Sequence, residues 1–177
     1  KRILYFKSNI ENVFKKFNDL IGYHRITNDS RIEHLQIKVS NKNIKGEENL
    51  KKIFHKIKDK KILLSIDIEG DEYKIIKNLI EYSKLIHLLV VEFHFLNKKK
   101  TSFKKIINDL KKKFEIIHIH GNNYTSYCAD GLPKTLEMTF RNKKIYPIKK
   151  KKYIKKFPNK YLDYPNFKNQ KDLKFHY

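Results

Sequence analysis
Two short patterns, Asp67-Ile68-Glu69 and Glu92-Phe93-His94, close apolar runs, and a third polar group, His118, His120, Asn122 and Asn123, gathers around the end of another. On an extended backbone a spacing of two sends both side chains of a pair to the same face. Three neighbouring strand ends can therefore supply carboxylates and imidazoles to one crevice. Such a set suits proton abstraction by a histidine or carboxylate, or a metal ion held by hard oxygen and imidazole ligands. Taken singly, each residue also has a structural reading: Glu69 as an acid beside a helix N-terminus, His118 as a hydrogen-bonded core histidine. The grouping favours a site, because perturbed titratable residues concentrate in functional clefts.

The elements that must carry these residues alternate along the chain. "RILYF" (2–6) reads as a strand, and Ile10, Val13, Phe14, Phe17, Leu20 and Ile21 as a helix, with Asn9 as its N-cap and Gly22 as its stop. Leu35, Ile37 and Val39 alternate as in a strand, "NKNIKGEEN" reads as a turn, and Leu50, Ile53, Phe54 and Ile57 give an amphipathic helix. Ile62 to Asp67 is a near-continuous apolar run, as expected of a parallel strand covered on both faces. A helix comes next with Tyr73, Ile76, Leu79 and Ile80, and its first turn holds Asp71 and Glu72, where acids favour the helix dipole. "HLLVVEFH" is the next strand, then a helix with Phe103, Ile106, Ile107 and Leu110 capped by Thr101 or Ser102. "FEIIHIHG" and "TLEMTFRN" are strands with no helix between them, and therefore antiparallel.

This order predicts an α/β fold with an open, mostly parallel, Rossmann-like sheet and an antiparallel C-terminal strand near one edge. Ligands of such sheets bind beyond the carboxyl ends of the strands. The chain divides into one domain, 1–145, and a tail, 146–177, in which Lys alternates with Tyr, Phe and Pro and which is expected to wrap the domain through its aromatics.

With 177 residues, 40% of them hydrophobic, the chain can bury a core. Its 41 Lys plus Arg against 19 Asp plus Glu give a net charge of +22, which attracts polyanions. The basic residues are mostly Lys, scattered on every segment among abundant Ile and Asn, as an A/T-biased coding sequence gives without a binding patch. A single cysteine, Cys128, excludes an intrachain disulfide and suits a reducing, cytoplasmic setting. No apolar run approaches the ~20 residues of a membrane span.

"LLSIDIEGDEYKII", with "LLVVEFH" after it, resembles the paired signature of the FkbM-type methyltransferases, a branch of the S-adenosylmethionine-dependent class I fold. "IHIHGNNY", "LPKTLEMTF" and "FPNKYLDYPN" are similar to the more C-terminal segments of bacterial relatives, so the likeness covers Ile62 to about Asn166. The resemblance implies transfer of a methyl group from S-adenosylmethionine to a sugar or other hydroxyl, and needs no metal. It assigns Asp67, Glu69 and Gly70 to the cofactor and acceptor crevice, and Glu92 and His94 to the second motif. His94, His120 and Glu92 are the catalytic candidates, and Asn122 and Asn123 would line the acceptor side.

The family's glycine-rich cofactor loop has no counterpart here, and "RILYFKSN" does not end in the acid that usually holds the cofactor ribose. If "RILYF" is the second strand, the first lies upstream of Lys1. The native protein is then expected to extend N-terminally, and this stretch alone to bind S-adenosylmethionine weakly or not at all. Two other readings compete: a metal-dependent hydrolase using the strand-end Asp, Glu and His, and a basic nucleic-acid-binding module whose tail offers aromatic stacking.

Overall fold
Two features of the chain decide where its chemistry sits: the apolar stripes that choose a helix-covered sheet face, and the order in which the strands pair. The computed structural model describes residues 21–22, 24–25, 28, 30, 38–40, 47–57, 61–147 and 156–176. It divides into two compact units, 1–38 and 39–177. In the first, Ile21, Gly22, His24 and Arg25 are helical, so Gly22 does not stop that helix, and the Asn28 amide donates to the His24 carbonyl. The strand read at 2–6, the helix start at Ile10 and the strand positions Leu35 and Ile37 lie outside the described residues.

Lys38–Ser40 (β1) and Glu47–Asn49 (β2) pair as a two-stranded sheet, so the end of the stretch read as a turn is a strand. Leu50–Lys56 (α1) comes next and buries Leu50 and Phe54. The main sheet has four strands in the order β3 (Ile62–Ile66), β4 (Ile86–Phe93), β6 (Leu136–Asn142), β5 (Phe114–Gly121). β3 and β4 are parallel, whereas β6 is antiparallel to both β4 and β5. The sheet is thus open and mixed. β3, β4 and β5 share a direction, but β6 is inserted between β4 and β5, one strand in from the edge, so only one adjacent pair is parallel.

Glu72–Leu79 (α2) and Leu96–Lys111 (α3) form because their apolar residues recur at helical spacing: Ile75, Ile76 and Leu79 on one, Phe103, Ile106, Ile107 and Leu110 on the other, all buried. They cover the sheet face that carries Leu89, Val91 and Phe93 of β4, paired with Phe140, Met138 and Leu136 of β6. Phe93 meets Phe103 edge-on at 5.2 Å and Tyr73 at 5.9 Å. The other face is not covered in the same way: Leu63 of β3 is 65% exposed and Ser65 is exposed, against the expectation of a strand buried on both sides. α3 also starts earlier than its expected cap. Phe95, in the left-handed region at φ 56°, precedes it, and Thr101 and Ser102 lie inside it, just after Lys99 leaves helical geometry.

The tail is held at Lys156–Phe157 (β7) and Phe175–His176 (β8), which pair with each other; Phe157 and Phe175 are buried and stacked at 5.4 Å. Its other aromatics do not all pack, since Tyr161 and Tyr164 are about four-fifths exposed. Among the described residues no helix is long and apolar enough to cross a membrane.

Candidate functional site
The side chains of the sheet face opposite α2 and α3 meet in a row. Glu92 of β4 pairs with Glu137 of β6, and Glu137 with His120 of β5. Because Ile66 pairs with Val91, the next residue, Asp67, falls beside Glu92. The row Asp67, Glu92, Glu137, His120 therefore runs across the sheet at the carboxyl ends of β3, β4 and β5. At its β3–β4 end lies a cleft of about 310 Å³ lined by Asp67, Glu69, Glu92, His94, Asn122, Tyr124, Thr125 and Thr135.

The turn after β3 is shaped by Glu69, Gly70 and Glu72. Glu69 adopts a left-handed conformation (φ 50°), and Gly70 comes after it at φ 100°. A side chain on Gly70 would meet the Phe95 ring at 2.7 Å, so only glycine lets Phe95 pack there. Glu72 lies in the first turn of α2, as expected, and is fully buried there. Its carboxyl group accepts the Gly70 N–H at 2.8 Å and the His94 N–H at 2.7 Å, which ties the β3–α2 turn to the end of β4. The Tyr73 hydroxyl donates to the His94 carbonyl at 2.6 Å. Burial, with Glu72 adjacent, pushes that phenol well above the ordinary tyrosine range, so it stays protonated as a donor. α2 thus grips His94 at both backbone groups.

The His94 ring, 8% exposed as a residue, stands among carboxylates: Nε2 is 3.5 Å from Glu69, 3.7 Å from Asp67 and 3.9 Å from Glu92, while Nδ1 is 3.6 Å from Glu72. Nδ1 has no hydrogen-bond partner. Asn122 donates to Glu92 at 2.7 Å and accepts the Tyr124 N–H, which folds the loop after β5 over the cleft. Glu92 is held above the ordinary carboxylate range, first by burial and further by Asp67 and Glu137, with the Asn122 bond acting against them.

The remaining expected residues go elsewhere. His118 pairs with Asp163 of the tail at 2.7 Å. His120 pairs with Asp172 of the tail at 3.0 Å and with Glu137 at 3.2 Å. Burial works against its charged form, but the bonds to Glu137 and Asp172 win and raise it to about 9. A cation with both ring nitrogens engaged is not a base for a substrate. Asn123 is buried; its amide donates to the Phe167 and Gln170 carbonyls and accepts the Phe167 N–H, so it anchors the tail rather than lining the cleft. Gly70 shapes the turn without lining the cleft. The inserted β6 explains the division: it sets the end of β5 one more strand spacing, about 5 Å, from β4, so His118 and His120 cannot join Asp67 and His94. Asn122, already in the loop, can.

Sequence reasoning missed Glu72, Glu137, Asp163 and Asp172. For Glu137 the signal was present, a lone acid at an alternating position of a strand otherwise rich in apolar residues and threonine. No family model matches the chain, and neither a curated relative nor a similar solved structure is found.

Proposed function
We propose that the chain carries the acceptor side of an FkbM-type, S-adenosylmethionine-dependent methyltransferase with a Rossmann-like sheet, and that it acts on the hydroxyl of a sugar or similar polyol. The observation that supports this reading most is that the ends of the two signature motifs, Asp67 to Gly70 and Glu92 to His94, meet at one cleft beyond two parallel strands. The lining is polar, with carboxylates and the Asn122 amide at hydrogen-bonding positions for a neutral polyol. Glu92, fixed by Asn122 on the floor, is the group that would take the hydroxyl proton, and Asp67 and Glu69 would hold neighbouring hydroxyls.

The cleft suits the acceptor rather than the adenosine, which would be held outside it. Gly70 is closed off by Phe95, and Gly121 by Pro133 and Phe175, so neither offers open backbone to a nucleoside. The cleft lining offers no apolar slot for an adenine either. Incubation of the protein with methyl-labelled S-adenosylmethionine and a panel of glycans and polyols is expected to label an acceptor hydroxyl. Glu92→Gln is expected to lower that transfer by about 10²- to 10⁴-fold, the usual contribution of a positioned base. Absence of label on every acceptor, with cleft resonances that do not respond to any of them, would remove the reading.

A further inference from the structure
We propose that Asp67, Glu69 and His94 form a binding site for one divalent transition-metal cation, Mn²⁺ or Zn²⁺. Their ligand atoms, one from each residue, all lie within 4.8 Å of one another. The spacings around His94 Nε2, 3.5 Å to Glu69 and 3.7 Å to Asp67, are longer than the ~2.7–3.2 Å of a hydrogen bond. They are close to the separation of donors sharing an ion: two atoms each about 2.1 Å from a metal are roughly 3.0 Å apart at a right angle and roughly 3.4 Å apart at the tetrahedral angle. Carboxylate oxygen with imidazole nitrogen suits Mn²⁺ and Zn²⁺, and three protein ligands leave positions open.

Two independent observations point to a cation there. His94 is nine-tenths buried, yet its ring makes no hydrogen bond: Nδ1 lacks a partner, and Nε2 is aimed at the carboxylates of Asp67, Glu69 and Glu92. With the proton on Nδ1, facing the buried Glu72 at 3.6 Å, Nε2 presents a lone pair to three acids. That arrangement is repulsive until a cation lies between them. Second, the chain has 41 Lys plus Arg, but among the described residues none pairs with Asp67, Glu69, Glu72 or Glu92. Among the described residues, the one basic side chain these four acids meet is His94.

The site stands on this geometry whether or not methyl transfer is the reaction. On the methyl-transfer reading, an acceptor hydroxyl would have room beside the ion in the cleft that Asn122, Tyr124, Thr125 and Thr135 also line. The test is titration of chelator-treated protein with Mn²⁺, monitored by calorimetry and by the electron paramagnetic resonance signal of free Mn²⁺, with Zn²⁺ as competitor. One Mn²⁺ per chain is expected, with affinity at least tenfold weaker in Asp67→Asn and in His94→Gln. Mn²⁺ should raise the unfolding temperature of the parent protein and not of the variants. Asp67 is more than half exposed, so Asp67→Asn keeps the fold even if His94→Gln does not. Absence of binding, or equal binding by parent and Asp67→Asn, would overturn the site. Methyl transfer that persists in chelator would remove the ion from that reaction and leave the methyltransferase reading standing. Binding without methyl transfer to any acceptor would support the site and dismiss that reading.

Discussion

Glu72 is the residue whose removal should damage the site most while touching no ligand. It is fully buried in the first turn of α2, and its two oxygens accept the backbone N–H groups of Gly70 and His94 at 2.8 and 2.7 Å. Glu72→Ala strips the partner from both donors where water does not reach. A buried donor left unpaired costs about 1–3 kcal/mol, so the pair costs roughly 2–6 kcal/mol, before the cavity is counted. Glu72→Gln keeps one carbonyl oxygen but turns an NH₂ group towards the other donor, so about half of that loss is expected. With a urea slope of about 2 kcal/mol per molar, the alanine variant should lose roughly 1–3 M in its unfolding midpoint and the glutamine variant about half as much. Hydrogen exchange supplies the local reading: the Gly70 and His94 amides should lose protection ahead of neighbours on β4. A glutamine variant with the parent's urea midpoint and unchanged protection at both amides would refute the reasoning.

The tail clasp should respond to pH in the basic range. His120 is raised from 6.5 to about 9 in the folded chain, so its stabilising contribution is complete below the unfolded value and is lost as pH rises through about 9; the urea midpoint should fall across that window, and His120→Gln should flatten the fall, whereas equal slopes in both proteins would contradict the assignment. Asn123→Ala removes three hydrogen bonds to the tail, worth together about 2–4 kcal/mol. Trypsin should then cut at the exposed Lys168 and Lys171 before it cuts the sheet, and a cleavage rate equal to the parent's would count against the clasp.

What could be read from the sequence was whatever local pattern encodes. "FEIIHIHG" matches β5 residue for residue, and β3, β4 and β6 begin or end within one residue of their apolar runs, because burial imposes alternation or continuous hydrophobicity on a strand. Strand order is not local, so the insertion of β6 between β4 and β5 left no trace in either run, and with it went the reason why His118 and His120 part from His94. The buried role of Glu72 was hidden for a related cause: its place in the first helical turn was legible, but only the approach of β4 turns that acid into a buried acceptor. The cap expected at Thr101 or Ser102 answered to a real irregularity, the departure at Lys99, but α3 had already started after the left-handed Phe95, which no propensity favours. Asp67, Glu69, Glu92 and His94 were legible as a group because adjacent parallel strands with matched spacing leave their end residues few other places to go.

The charge of the cleft opposes that of the chain, and this constrains its ligand. A net charge of +22 draws anions towards the surface, but across the aqueous solvent that field decays over about 8–10 Å at physiological salt. Within the row, His120 offsets Glu137 and Asp172, whereas Asp67, Glu69 and Glu92 share only the His94 ring. At hydrogen-bonding distance those acids dominate, and a phosphate or carboxylate approaching them would meet repulsion that the distant lysines do not cancel. The cleft therefore disfavours anions and admits a neutral ligand or a cation. Both arise from one arrangement, in which a buried glutamate fixes His94 and the surrounding acids have no lysine or arginine partner among the described residues.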